Sequence, residues 1–257
     1  MGVARATTAE ETPPLTSETR EVTTEAEAGG THLRISTPSG PVHVFRPAGY
    51  DRRTAGIVVY VHGYYVGVDV AWRDHDLAGQ FARSHRNALF IAPEAPAAAE
   101  ETPAWPRLQG LLTSTLRLAR LDPPRGPVVV IGHSAAYRTI VPWLADPTLH
   151  HVILVDALYG NEPDFRAWLR RNLSNHLTLA IRGTARWANP FVRALPYAVT
   201  ARRIPNRADQ FTQGQRAARV LALRSQYGHF ELITEGKALP VLLGRTPLAL
   251  IRRPRTE

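Results

Sequence analysis

From Thr31 onward the apolar positions of the chain follow two alternating rhythms. THLRIS and VHVFRP each alternate apolar and polar residues and flank the turn-forming TPSG, so they predict an N-terminal hairpin. GIVVYVHG (56–63) is continuously apolar, as a strand covered on both faces must be. VAWRDHDLAGQFARSHR follows with Val70, Leu77 and Phe81 at helical spacing and charges on the other side. ALFIAP, VVVIGHS, HVILVDALYG, HLTLAIRGT and RVLALRS predict further strands. Between them lie helical patterns: WPRLQGLLTSTLRLARL, with Leu108, Leu111, Leu112, Leu116 and Leu118 at core positions, AAYRTIVPWLA, and EPDFRAWLRRN. EPDFRAWLRRN has acidic residues first and basic residues last, which suits the helix dipole. HFELITEGKALPVLLG predicts a closing helix interrupted at Pro240. Strands alternating with helices of about 10–17 residues predict an α/β domain over 31–257, with one mostly parallel sheet and helices on both faces.

Two segments break the rhythm. Residues 1–30 are rich in Thr, Glu and Pro, carry six Glu against Arg5 and Arg20, and end in Gly29-Gly30. That composition cannot bury enough apolar surface to offset ordering entropy, so it predicts a disordered acidic tail. Residues 185–210 hold three prolines and the bulky Trp187, Phe191 and Tyr197. A loop of that length in a compact domain predicts a lid over a site.

Composition narrows the function. There is no cysteine, which excludes disulfides, thiol nucleophiles and thiolate metal sites. No apolar run reaches the roughly 18–20 residues of a membrane span, and the N-terminus lacks a Sec-type apolar core, so a cytoplasmic location is expected, with signal-less export left open. The net charge of +9 first suggests nucleic acid. However, Lys237 is the only lysine among 31 basic residues, and the arginines are dispersed in an Ala- and Pro-rich chain. That pattern reads as codon bias and a solvated basic surface, so no nucleic-acid partner is expected. Nothing in the sequence sets the oligomeric state.

The chemistry is concentrated in Gly132-His133-Ser134-Ala135-Ala136, between a predicted strand and a predicted helix. A nucleophile elbow needs this setting: a sharp turn lifts the serine Oγ over the sheet edge, and small residues two before and two after let strand and helix approach. Gly132 and Ala136 supply the small residues. An ordinary helix cap would also place a serine there. A nucleophilic serine requires a base, an orienting acid and an oxyanion site. His229 lies just past the last predicted strand, at the carboxyl edge where open α/β sheets gather their ligands. His150, His151 and His176 precede strands and belong at the opposite edge. Asp156 ends the strand after the serine's helix and is the first choice for the acid, with Asp164 and Asp209 as fallbacks. Oxyanion donors are expected from the N–H groups of Ala135 and of Tyr64, after Gly63. Tyr65, Trp187 and Tyr197 are the expected substrate contacts, and Trp72 and Trp105 are further candidates. Asp74, His75 and Asp76 are consecutive and cannot all face one ion, so no metal is expected there.

VYVHGYY (59–65), VVVIGHSAA (128–136), LVDALYG (154–160) and YGHF (227–230) together resemble α/β-hydrolase-fold serine hydrolases, over about residues 31–250. The resemblance implies Ser134 as nucleophile, His229 as general acid-base, and Tyr64 with Ala135 as oxyanion donors. Members usually carry the acid one strand later than Asp156; a subset, including lipases of the pancreatic type, carries it at this earlier position. The short run from Asp156 to the next strand implies no large cap. The implied activity is cofactor-free and metal-free cleavage of a carboxylic ester, small or lipid-like, through an acyl-enzyme. An amide-bond hydrolase, such as a peptidase or cell-wall amidase, and a non-catalytic hydrolase-fold binding protein are the alternatives.

Overall fold

The structure, a computed structural model, describes residues 21–252. Its centre is a ten-stranded sheet built of β1 (Val22–Glu27), β2 (Gly30–Ile35), β3 (Val42–Arg46), β4 (Gly56–Val61), β5 (Ala88–Pro93), β6 (Val128–His133), β7 (Leu149–Val155), β8 (His176–Ile181), β9 (Ala198–Ala201) and β10 (Val220–Arg224). The spatial order is β1-β2-β3-β5-β4-β6-β7-β8-β10-β9. The pairs β1–β2, β2–β3 and β3–β5 are antiparallel, and every pair from β5 to β9 is parallel. The chain leaves β4 toward β5 on one side and returns to β6 on the other. The carboxyl ends of β4 and β6 therefore border a crevice at the switch point.

The continuous apolar runs are explained by burial on both faces. Along β4, Ile57, Val59 and Val61 enter one core and Val58 and Tyr60 the other. The first core is closed by α3 (Leu108–Leu118), α4 (Tyr137–Trp143), α5 (Glu162–Arg171) and α6 (Ala185–Arg193). The second is closed by α1 (Val68–Asp74), α2 (Leu77–Arg83), α8 (Glu231–Thr234) and α9 (Ala238–Leu243). A short α7 (Gln213–Ala217) precedes β10. Among the described residues no helix is long and apolar enough to cross a membrane.

Four expectations change. Residues 22–30, assigned by composition to a disordered tail, form β1 and its turn, with Val22 facing Ile35 and Glu27 facing Gly30. The rest of the proposed tail, 1–20, lies outside the described residues. Residues 185–210 are not one irregular lid: α6 buries Ala188, Phe191 and Val192 on the sheet, and β9 pairs with β10. The helix expected from residue 70 is two, because Asp76 adopts a left-handed backbone (φ 47°) between α1 and α2. The closing helix is likewise two, broken at Gly236 (φ 67°) rather than at Pro240, which sits inside α9.

Candidate active site

β6 ends at His133, and Ser134 turns the chain with φ 55°, a left-handed backbone costly for any side chain. A 3-10 turn (Ser134–Ala136) then leads into α4. Close approach accounts for the small residues. A Cβ on Gly132 would meet Ile140 Cδ1 at 2.3 Å and the Ala136 methyl at 3.0 Å. One methyl fits at this crossing because residue 132 has none. A Cβ on Gly63 would lie 2.7 Å from Ser134 Cβ, so the loop after β4 presses directly on the serine.

That loop is fixed from below. His62, fully buried, donates from Nδ1 to the Gly63 carbonyl (2.8 Å), and its Nε2 accepts from Ala95 N–H (3.0 Å). Glu94, at the carboxyl end of β5, accepts from Val68 N–H (3.3 Å) and anchors the start of α1. Tyr65 adopts φ 75°, gives its N–H to the Ala97 carbonyl (2.8 Å) and is 88% exposed. Its expected place at the mouth of the site is thus an open rim. The Tyr64 phenol is hydrogen-bonded to the Arg138 guanidinium. Tyr64 follows the Gly63 that presses on Ser134, and Ala135 follows Ser134 itself.

Asp156 follows β7 with φ 47° and is fully buried. Its carboxylate accepts five hydrogen bonds: from the N–H groups of Arg182, Gly183 and Thr184 (2.9 Å each), from Thr184 Oγ1 (2.8 Å) and from His229 Nδ1 (2.7 Å). Burial alone would raise its pKa; the His229 bond and the backbone donors outweigh it and hold the carboxyl well below the usual range. The fallbacks lie elsewhere. Asp209 pairs with Arg207 (3.0 Å) on an exposed turn, and Asp164 accepts from Asn161 (3.1 Å).

The His229 ring packs on His133, with centroids 4.5 Å apart, and the His229 carbonyl accepts from His133 Nε2 (3.1 Å). The imidazole paired to Asp156 is thereby held against the residue preceding Ser134. Burial, then the neighbouring His229, pushes the His133 pKa down to about 3, so this ring stays neutral beside its partner. A stability consequence follows. In the unfolded chain this histidine titrates near 6.5. Below that pH the unfolded state binds a proton that the folded state refuses until about pH 3. Stability is therefore full above pH 6.5 and declines as pH falls toward 3, by about 2 kcal/mol for this group at pH 5. Urea unfolding at pH 7.5 and pH 5 is expected to show the decline, with a smaller decline in His133→Gln. An equal decline in both chains would assign it elsewhere.

Tyr159 is the site residue that sequence reasoning missed. Its hydroxyl lies beside Ser134, and burial, then the Asp156 carboxylate, raises its pKa. Its ring packs edge-on to Trp187 (5.1 Å) and lies beside Tyr137 (6.2 Å). Trp187 thus reaches the serine through Tyr159, and the Arg186 guanidinium covers its ring at 3.7 Å. Tyr197 is not at this rim. It precedes β9, at the amino ends of the strands, where Arg219 lies over its ring (4.9 Å). Trp72 and Trp105 are buried and do not line the site.

No family model and no curated sequence matches the chain. Solved structures do. The feruloyl esterase module from Clostridium thermocellum is 13% identical, with a TM-score of 0.54 over 84% of this chain and 89% of that one. An S-formylglutathione hydrolase from Staphylococcus aureus is 11% identical, with a TM-score of 0.54 over 88% and 100%. A fluorophosphonate-binding serine hydrolase of Staphylococcus aureus is 11% identical, with a TM-score of 0.53 over 83% and 97%. What these likenesses establish is the architecture: the chain has the α/β-hydrolase fold.

Proposed function

We propose that the protein is a serine hydrolase that cleaves a carboxylic ester through an acyl-enzyme. The observation that supports this best is the 2.7 Å bond between His229 Nδ1 and Asp156, made by an imidazole packed against the residue before a left-handed serine. In this reading the Ser134 hydroxyl attacks the ester carbonyl carbon, while His229 Nε2 takes the proton. Asp156, kept ionised by its donors, fixes Nδ1–H and offsets the imidazolium charge. The N–H groups of Tyr64 and Ala135 receive the oxyanion. Collapse breaks the bond to the leaving alkoxide, which takes the proton from His229. Water, deprotonated by the same nitrogen, then releases the acid and restores Ser134. No step calls for a metal or cofactor. Tyr65 and Phe230, 88% and 60% exposed, and Trp187 beside Tyr159 offer apolar surface to a small or lipid-like acyl group.

The test is covalent. Incubation with a fluorophosphonate is expected to add one adduct per chain, mapped by mass spectrometry to the peptide holding Ser134. An unmodified chain, or an adduct on another residue, would remove this reading.

A further inference from the structure

We propose that Glu25, Glu27 and His32 form a binding site for a divalent transition-metal ion of the zinc type, apart from the Ser134 site. Glu25 and His32 are direct cross-strand partners of β1 and β2, and Glu27 lies two residues on, on the same face. His32 Nδ1 lies 2.8 Å from Glu25 Oε1 and 3.0 Å from Glu27 Oε2, and one atom from each residue falls within 4.8 Å of the others. Glu25 is exposed and Glu27 half-buried, so both leave further positions to water; His32 is only 4% exposed.

The groups behind His32 make this more than a pair of surface acids. His32 Nε2 is 2.8 Å from His43 Nδ1, and His43 Nε2 is 2.8 Å from Asp69 Oδ1. Both rings are buried and stack on Trp72 (4.6 and 4.7 Å), whose Nε1 donates to Glu27 Oε2 (3.0 Å). Asp69 also accepts two bonds from Arg34 (2.7 and 2.8 Å), so it acts as an acceptor and His43 Nε2 must carry hydrogen. Neutral His43 then presents a lone pair at Nδ1, and His32 Nε2–H must donate to it. That tautomer leaves His32 Nδ1 as a bare lone pair, aimed with two carboxylates at one point. Three converging lone pairs need a cation. A divalent ion meets the need with both rings neutral, and the relay from His32 through His43 to Asp69 is the outer support that orients a metal-bound imidazole. Imidazole with two carboxylates suits zinc-type ions better than magnesium or calcium, which prefer all-oxygen shells. A proton on Nδ1 is the competing occupant.

Isothermal titration of the EDTA-treated, dialysed full chain with zinc chloride at pH 7.5 separates the two. The expected result is one zinc per chain, undisturbed by millimolar magnesium, with a zinc-dependent rise in Tm. The Glu25→Gln/Glu27→Gln variant, which keeps size and fold, is expected to lose at least 100-fold in affinity while its Tm in EDTA stays near that of the parent. Asp69→Asn, which touches only the outer support, is expected to lose about 10–100-fold. Absence of zinc uptake, leaving only a proton between the three residues, would overturn the proposal. So would uptake that the double variant leaves intact, which would place the ion on other histidines.

Discussion

Ser134→Ala is expected to lower kcat for an aryl ester by roughly 10⁵–10⁶-fold, the scale seen when a nucleophile that works as a unit with its base is removed. That is about 7–8 kcal/mol of lost transition-state stabilisation. The loss is confined to chemistry because the substitution removes a single atom. The alanine Cβ keeps its place against Gly63 and faces the same left-handed backbone. Tm is therefore expected to stay within about 2 °C of the parent, since the close packing of Gly63 and Gly132 around the elbow is unchanged. Binding of a non-hydrolysable phosphonate ester's neutral analogue should also persist, as His229, Asp156 and the 63–65 loop are untouched. Steady-state kinetics and a dissociation constant on one preparation separate the two effects. A variant that still turns over the ester at more than a few per cent of the parental rate would place the nucleophile elsewhere and end the acyl-enzyme reading.

Much of the architecture was legible because burial on both faces leaves a simple trace. The runs at 56–61, 88–93, 128–131 and 152–155 are apolar without interruption, and each lies in a parallel strand of the central sheet. The pairing of His229 with Asp156 was legible for a related reason: chain order and strand ends place both at one rim, and the pair meets there. β1 was hidden because five of its six residues are exposed, so its Thr and Glu reflect solvent rather than disorder. Pairing with β2 supplies its backbone partners, and Val22-Thr23-Thr24 was the available sign. α6 was hidden by Pro190, although Ala188, Phe191 and Val192 keep helical spacing around it. Once that segment became helix and strand, Tyr197 moved with it to the amino ends of the sheet. Tyr159 left no trace at all. It lies in the turn after Asp156, where no periodicity applies, and only the three-dimensional fold brings it beside Ser134.

Asp156→Asn is expected to cost about 10⁴-fold in kcat, through the tautomer of His229 rather than through the backbone. The carboxylate accepts all five of its bonds, three of them on Oδ1 from Arg182 N–H, Thr184 N–H and Thr184 Oγ1. A carboxamide oxygen satisfies these three only if its NH2 takes the Oδ2 position. There the NH2 faces Gly183 N–H and His229 Nδ1, both of which now donate. His229 escapes the conflict by shifting its hydrogen to Nε2 and accepting at Nδ1. An imidazole in that tautomer presents a donor to Ser134 and cannot take its proton. Gly183 N–H has no such escape and is left facing a donor, at a cost of about 1–3 kcal/mol of stability. The left-handed backbone at 156 (φ 47°) is tolerated by Asn as well as by Asp, so the turn itself should survive. The signature is thus a large fall in kcat with a small fall in Tm, and fluorophosphonate labelling slowed in proportion to kcat. Asp209→Asn and Asp164→Asn, at positions that do not touch His229, serve as controls and should stay within about two-fold of the parent. Parental labelling by Asp156→Asn, or a collapse in either control, would show that a different carboxylate orients the base.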